Sequence, residues 1–237
     1  MPANDSSAFA DLASALQAEP DASLTATTIV LRMADLVADA DEVSLTIQTR
    51  AGHATLAASG TMAAAADEQQ YALGEGPCVE TSDRGAWIRS GNVGGDPRWP
   101  RWGPEARELG VASMLAVRLL SNDQPYGALN LYSRSPGKFA DHDVVDLALI
   151  YGTHAATALS AAQLATNLQT AIGSRHTIGM AQGIVMERYG LTQHQSFELM
   201  RRLSSSSSTK LRDVAAYIVE NRELPELPPA PGTPSES

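Results

Sequence analysis

The sequence predicts an α+β chain that begins with a small sheet domain and ends in helices alone. Three observations support this prediction. Strand-like alternation appears in two separate pairs of segments, and a stretch rich in Gly and Pro divides the pairs. Beyond Asp141 the apolar residues recur at spacings of three and four, and no proline lies between Gly137 and Leu224. Elements in this order are typical of an antiparallel sheet with flanking helices, followed by a helical unit.

The first half of the chain supplies the predicted sheet. Residues 22–40 have helical spacing, and 43–48 and 53–58 have the period of strands. Pro77 is suited to the first turn of a short helix. Residues 91–104 are dense in Gly and Pro and are predicted to be mostly loop, with a helix at 104–109. Strands are expected at 113–120 and 126–132, joined by a turn.

A long helix is predicted from Asp141 onward, with Gly173 as the candidate point of interruption. Its apolar stripe is rich in alanine, which permits close helix–helix approach. Such a stripe is typical of a dimer seam, and it would equally suit a helix that packs on the sheet. Both interpretations stay open, since the first half of the helix can do one and the second half the other.

The C-terminal residues predict three short amphipathic helices. Gly190 is placed to end the first helix, and Thr192 with Gln195 fits a capping box for the second. The serines at 204–208 suggest a linker that also supplies the cap of a third helix, at 210–221. Apolar residues on one face of the first helix are Ile178, Ala181, Val185 and Tyr189. On this basis the Tyr189 ring is expected in the core.

Gly179 and Gly183 lie on a second non-polar side of the same helix, together with Met186. Each glycine costs a helix interior about 1 kcal/mol relative to alanine. The bundle's own core does not need this side. A close neighbour, either a protein segment or RNA, is therefore expected there, and close protein packing is favoured.

Residues 178–219, IGMAQGIVMERYGLTQHQSFELMRRLSSSSSTKLRDVAAYIV, resemble the ANTAR domain. The resemblance implies an RNA-binding three-helix module of bacterial antitermination regulators. It implies capture of paired hairpins in a nascent transcript, so that a terminator cannot form. Gln182 replaces a frequent Lys, and Ser208-Thr209 replace a frequent Asn-Arg pair. The residues implied in RNA contact, for which a solvated helix surface is the alternative, are Arg188, Arg201, Arg202, Lys210 and Arg212.

Residues 22–165 resemble a GAF domain, in the version that precedes ANTAR domains in actinobacteria. The resemblance is carried by GEGPC at 74–78, DPRWP at 96–100 and GALNLYSRSPGKFADHD at 127–143. It implies a sensor of a small molecule or a partner, and the ligand-binding candidates are Cys78, Trp99, Trp102 and Tyr132. Cys78 lies near a predicted helix N-terminus, which favours a thiolate, and a small buried residue is the alternative. The two tryptophans could line a pocket or cover the sheet edge.

Composition and charge narrow the range of possible functions. The net charge of −10 argues by itself against nucleic-acid binding, but residues 173–224 hold seven Lys/Arg against five Asp/Glu. No catalytic constellation or metal-ligand spacing emerges, so neither an enzyme nor a metal site is predicted, and the cofactor stays unknown. The single cysteine fits a reducing cytoplasm. No apolar run approaches the ~20 residues that span a bilayer, so no membrane partner is expected. The N-terminus does not read as a signal peptide.

These observations divide the chain into an N-terminal segment (1–21), a GAF-like sensor domain (22–165), an ANTAR-like RNA-binding domain (166–224) and a disordered Pro-rich tail (225–237). The predicted function is a cytoplasmic RNA-binding antitermination regulator. It acts on hairpin-containing leader transcripts as a homodimer joined, in a coiled coil, through the 151–178 helix. The alternative is a GAF ligand or redox sensor whose C-terminal bundle binds protein.

Overall fold

The computed structural model describes residues 21–121 and 124–225, without the side chains of 82–84. The predicted N-terminal segment, apart from Asp21, and the predicted tail, apart from Pro225, lie outside these residues. The chain divides into two compact units, one ending at Thr166 and the other beginning at Asn167.

The first unit consists of short helices and five strands. In chain order these are α1 (Ala22–Leu36), β1 (Glu42–Thr49), β2 (Gly52–Ala58), α2 (Thr61–Leu73), α3 (Pro77–Arg84), β3 (Trp87–Ser90), a 3-10 turn (Val93–Gly95), α4 (Trp102–Glu108), β4 (Ser113–Ser121), β5 (Gln124–Ser133) and the start of α5 (His142–Tyr189). The strands form one antiparallel sheet in the order β2-β1-β5-β4-β3. The predicted antiparallel sheet with flanking helices is confirmed.

Alternating residues of the sheet build two separate cores. Val43, Leu45 and Leu129 face helices α1 and α5. The Tyr151 hydroxyl of α5 donates to the Ile29 carbonyl of α1 at 2.8 Å, which joins the two helices. The first half of α5 therefore packs on the sheet, as one of the two interpretations of its stripe required.

The opposite face of the sheet carries α2, α3 and α4. Its apolar core includes Met114, Ala116 and Ala128 from the strands and both Trp99 and Trp102 from the segment before and at the start of α4. Polar residues of β1 and β5 point into the same layer, because side chains two residues apart share a face. This layer holds the candidate sensor site.

The second unit is a three-helix bundle made of the end of α5, α6 (Gln193–Ser207) and α7 (Leu211–Asn221). Its buried core includes Ala181, Val185, Met200 and Ile218. Gly190 has φ 64°, and the Leu191 N–H donates to the Met186 carbonyl at 3.2 Å, which ends α5 as expected. Thr192 and Gln195 form the predicted capping box.

Several sequence predictions differ from the structure. The serine run is not a linker, since α6 continues to Ser207, and Lys210 rather than a serine precedes α7 with no side-chain cap. Gly173 does not interrupt α5. Strand β3 and helix α2 were not predicted, because β3 has four residues and α2 buries mainly alanines and polar side chains.

Helix α5 also bears on the expectation about membranes. Among the described residues it is the one helix whose length and apolar composition would allow it to cross a bilayer, with a mean hydropathy of 1.3 over its most apolar stretch. The signal is weak, because core helices of water-soluble domains pass the same test and α5 buries Tyr151, Ala155 and Leu159 in the first unit.

A close strand contact gives a test of the sheet register. Gly127 of β5 lies opposite Ile47, and a Cβ added there would lie 1.9 Å from the Thr46 carbonyl oxygen. Gly127→Ala should therefore lower the free energy of unfolding by at least about 2 kcal/mol, measured by urea denaturation. Gly173→Ala is the control, since nothing lies within 4 Å of its added Cβ. Equal stability of the two variants would contradict the register.

Candidate functional sites

A buried carboxyl group forms the centre of the polar layer beneath α2. Asp67 is inaccessible to solvent. Its Oδ1 accepts hydrogen bonds from the Tyr132 hydroxyl and, at 3.2 Å, from Asn130 Nδ2. Its Oδ2 accepts from the Thr55 hydroxyl at 2.8 Å. Three donors from β2 and β5 thus converge on one side chain of α2.

A second series of hydrogen bonds ties this centre to helix α3. Gln70 Nε2 donates to the Tyr132 hydroxyl oxygen at 3.0 Å, while Gln70 Oε1 accepts from the Cys78 backbone N–H at 2.8 Å. A Cβ added at Gly76 would lie 2.4 Å from Gln70 Oε1. Gly76 also has φ 136°, which favours glycine. The turn before α3 is therefore shaped around the Gln70 side chain.

Hydroxyl groups extend the network toward the edge of the sheet. The Tyr71 hydroxyl lies 3.0 Å from Thr55 Oγ1 and 2.7 Å from Thr46 Oγ1, and in both contacts either oxygen can donate. Thr46 Oγ1 also accepts from Asn130 Nδ2 at 3.1 Å. The ring of His53 stacks on Tyr71 with 5.9 Å between centroids. The Asn130 Oδ1 atom is buried without a hydrogen-bond partner among the described residues.

Burial without a compensating cation controls the protonation of this site. No ion pair of the described residues includes Asp67. Desolvation raises the pKa of Asp67 to about 6, although its hydrogen-bond donors oppose the shift. Desolvation and the neighbouring Asp67 raise the pKa of the Cys78 thiol to about 12. The thiolate expected from the helix N-terminus is therefore disfavoured, and Cys78 is the small buried residue of the alternative interpretation.

The two candidate tryptophans are packed inside the same layer. Trp99 and Trp102 make an edge-on contact with ring centroids 5.7 Å apart, and both are fully buried. Trp99 Nε1 donates to Glu80 of α3 at 2.8 Å, and Trp102 Nε1 donates to the Ala66 carbonyl of α2 at 3.1 Å. Their indole N–H groups thus connect the segment around the start of α4 to helices α2 and α3.

The structure thus brings Cys78, Trp99, Trp102 and Tyr132 into one buried cluster. Sequence reasoning missed Asp67, Gln70 and the role of Asn130. The available signal was an Asp-Glu pair after four alanines, in a segment that could form a helix. Within the described residues, no group of three or more His, Cys, Asp or Glu could hold a metal ion.

The predicted RNA-contact residues all lie on the surface of the three-helix bundle. Arg201 pairs with Glu198 at 2.8 Å, and Arg212 lies 3.2 Å from Asp213. Arg188 Nη1 donates to the Arg222 carbonyl. Arg202 and Lys210 are exposed and belong to no ion pair among the described residues.

Two further residues of the bundle differ from expectation. Tyr189, predicted for the core, is 44% exposed and lies beside the Arg188 guanidinium. It is the last residue of α5, where the helix ends. Gln182, which replaces a frequent Lys, donates to the Gln193 carbonyl at 3.3 Å and so contributes to the bundle itself.

The raised pKa of Asp67 predicts how stability depends on pH. A folded-state pKa of about 6, above the ordinary value of 3.8, means that the folded chain holds this proton more tightly than the unfolded chain. The stabilisation is present below pH ~4 and is lost as pH rises through ~6. The free energy of unfolding of the wild type, relative to Asp67→Asn, should fall by about 3 kcal/mol between pH 4 and 7.5. A constant difference across this range, measured by denaturant titration, would contradict the prediction.

Comparisons with solved structures support the fold of the first unit. The GAF domain of a phosphoenolpyruvate-protein phosphotransferase from Acinetobacter matches with a TM-score of 0.55 at 13% identity, over 70% of this chain and 99% of that one. Free methionine-R-sulfoxide reductase from Neisseria meningitidis, solved with its substrate, has a TM-score of 0.51 at 15% identity, over 65% of this chain and 87% of that one. A bacteriophytochrome from the photosynthetic bacterium R. palustris has a TM-score of 0.61 at 10% identity, over 87% of this chain and 47% of that one. At these identities the similarity establishes the fold alone.

Comparisons of sequence identify the two units. No curated protein matches the chain. A family model of the GAF domain matches residues 21–160, and one of the ANTAR domain matches residues 166–219. The first match covers more than half of the chain. The chain therefore belongs to the GAF domain family and carries an ANTAR domain after its GAF domain, which is the organisation of a GAF-ANTAR regulator.

Proposed function

We propose that this protein is a cytoplasmic regulator, and not an enzyme, that binds paired hairpins of leader transcripts through its ANTAR domain as a homodimer. The observation that carries the proposal is the ANTAR match at 166–219 on a compact three-helix bundle. Binding of the hairpins would keep a terminator from forming. The GAF domain would act as the sensor through the buried cluster around Asp67.

The charge of the bundle supports an RNA partner. The chain is acidic overall, with a net charge of −10, yet its ANTAR segment carries more basic than acidic residues. Arg202 and Lys210 are exposed and available to phosphates. Arg201 and Arg212 are exposed too, and their ion pairs at the surface are weak enough for phosphates to replace them. RNA hairpin loops are read by stacking and edge contacts, with basic side chains on the backbone.

The exposed stripe of α5 supports the homodimer. Leu164, Leu168 and Ile172 are 60%, 56% and 68% exposed. Each of the three follows the one before by four residues, so they lie along one side of the helix. Single exposed apolar side chains are ordinary, but a row of three on one helix marks a contact surface. A second copy of the same helix fits it, because identical stripes pair with each other in a coiled coil.

Gly179 and Gly183 extend this argument into the ANTAR domain. Nothing in the described chain lies within 4 Å of a Cβ added at either position. The second non-polar side of the helix is therefore open in a single chain, as expected if its neighbour comes from a partner. The start of the predicted 151–178 seam is buried in the first unit, at Tyr151, Ala155 and Leu159. We propose that the dimer contact runs along the exposed stripe from Leu164 to Ile172 and continues past Gly179.

Charge removal from α6 tests the RNA proposal. Arg201→Ala with Arg202→Ala should weaken binding of a two-hairpin leader RNA at least about tenfold at about 50 mM salt, and reduce the slope of log K against log salt by about two. Filter binding across a salt series measures both. The control is Arg32→Ala with Arg50→Ala, which removes the same charge from the GAF domain. No binding by the wild type at low salt, or equal loss in both double variants, would favour a bundle that binds protein.

Charges in the α5 stripe test the dimer. Leu164→Glu with Leu168→Glu should give a monomer at micromolar concentration, because carboxylates would be buried unpaired in the seam. Light scattering reports the mass, and circular dichroism should show that the fold is retained. Gln169→Glu adds a charge to an exposed position outside the stripe and should leave the dimer intact. A monomeric wild type under the same conditions would refute the homodimer.

A further inference from the structure

We propose that the GAF domain binds a proton as a signal, with Asp67 Oδ2 as the acceptor and with the hydroxyl groups of Thr55, Tyr71 and Thr46 as a chain that reverses when the proton arrives. The inference rests on the proposed sensor role of the GAF domain. It adds the chemical identity of one signal and the path by which that signal leaves the site.

The two oxygens of Asp67 have different surroundings, and this decides where the proton goes. The Gln70 amide has a fixed orientation, because its Oε1 accepts the Cys78 backbone N–H and its Nε2 must then face Tyr132. Tyr132 therefore receives a hydrogen from Gln70 and directs its own toward Asp67 Oδ1. Oδ1 also receives Asn130 Nδ2. Tyr132 and Asn130 therefore both donate to Oδ1. A proton on Oδ1 would face one of these hydrogens, so Oδ1 is not the protonated oxygen.

The Oδ2 oxygen accepts from the Thr55 hydroxyl, and the Ser44 hydroxyl is a further hydrogen-bond partner of Asp67. Hydroxyls can both donate and accept. In the ionised form Thr55 donates to Oδ2. In the protonated form Oδ2–H donates to Thr55 Oγ1, Thr55 donates to the Tyr71 hydroxyl, and Tyr71 donates to Thr46 Oγ1. Both contacts of Tyr71 allow either direction, at 3.0 Å and 2.7 Å. These three contacts keep their hydrogen bonds in both protonation states.

The electrostatic surroundings leave the proton as the only local compensation for the carboxylate charge within the described residues. The groups that face Asp67 and can titrate are Tyr71 on its own helix, Tyr132 on β5 and Cys78 on α3. Burial raises the pKa of each of them, so none supplies a charge near neutral pH. His53 of β2 stacks behind Tyr71, and Glu80 of α3 is held by Trp99. No Lys or Arg is among the main causes of the shift of Asp67, whose pKa of about 6 lies close to neutral pH.

Proton uptake would be transmitted to helix α3. Hydrogen bonds to a charged carboxylate are roughly twice as strong as those between neutral groups. Neutralising Asp67 therefore weakens the bonds from Tyr132 and Asn130 to Oδ1, which join α2 to β5. Tyr132 is linked through Gln70 to the Cys78 N–H at the start of α3, and α3 holds Trp99 through Glu80. The Trp99 indole is therefore a reporter at the far end of the same series of contacts.

The test is an NMR titration of the full chain without RNA, from about pH 4.5 to 8, which brackets the pKa of an aspartate raised by burial. One aspartate side-chain carboxyl ¹³C signal should titrate with a pKa of about 6 and be absent from Asp67→Asn. The Trp99 indole N–H should shift with the same midpoint in the wild type. In Asp67→Asn it should stay near its acidic position throughout, because the amide introduced by this substitution can donate to Thr55 as the protonated carboxyl does.

Two matched variants separate this site from its neighbours. His53→Gln should retain the carboxyl titration, because His53 stacks on Tyr71 and is not among the main causes of the raised pKa of Asp67. Thr55→Val should raise its midpoint, since the carboxylate loses a hydrogen-bond donor. If Asp67→Asn fails to fold, the wild-type and Thr55→Val titrations decide alone.

The proposal is overturned if no aspartate carboxyl of the wild type titrates within about one pH unit of the expected midpoint, or if the titrating signal persists in Asp67→Asn. It is also overturned if the pH-dependent shift of the Trp99 indole N–H is lost in His53→Gln. These results concern the GAF domain without RNA. Their failure would leave RNA binding standing, and failure of RNA binding would leave the titration standing.

Discussion

The burial of one carboxyl group, that of Asp67, organises one whole side of the sensor domain. A carboxylate removed from water is costly unless its oxygens are occupied by donors. The chain supplies these donors from β2 and β5 and orients them through residues of β1, α2 and the turn before α3. These segments are thereby held at fixed distances by one side chain of α2. The apolar residues around it, including Trp99 and Trp102, complete a layer that apolar packing alone would leave less precisely defined.

Some elements of this domain can be predicted from the sequence, whereas the helix that carries the buried Asp67 cannot. In β1 the apolar Val43, Leu45 and Ile47 alternate with polar residues, so its period of two is visible in a single sequence. Strands β4 and β5 are buried on both faces, and they are visible as short apolar runs on either side of a turn. Helix α2 buries Ala63, Ala66, Asp67 and Gln70, which carry almost no apolar signal. Asp67 could not be predicted as the centre of a site, because its partners lie 12 to 65 residues away along the chain and meet only in the folded sheet. The sequence predicts a thiolate at Cys78 from its place near a helix N-terminus, but burial raises the pKa of the thiol instead.

The structure of the ANTAR domain was easier to predict, because the sequence features that define its helices are local. The capping box joins Thr192 to Gln195 within one turn, and Gly190 ends α5 through its positive φ. The expectations for Tyr189 and for the serines were wrong, and both concern the ends of helices. Tyr189 shares a helical face with Val185 but lies one turn further on, where α5 ends and the side chain emerges into solvent. The serines continue α6 to Ser207, and the Ser206 and Ser207 hydroxyls donate to the Leu203 carbonyl within its last turn.

The central claim is that two ANTAR domains, brought together by α5, bind the two hairpins of one transcript. Native mass spectrometry of the full chain mixed with a two-hairpin leader RNA tests it most directly, because the mass gives the number of chains on each RNA. The account predicts two chains on one RNA, and loss of that species when either hairpin is deleted. A complex of one chain with one RNA, unchanged by deletion of a hairpin, would contradict it.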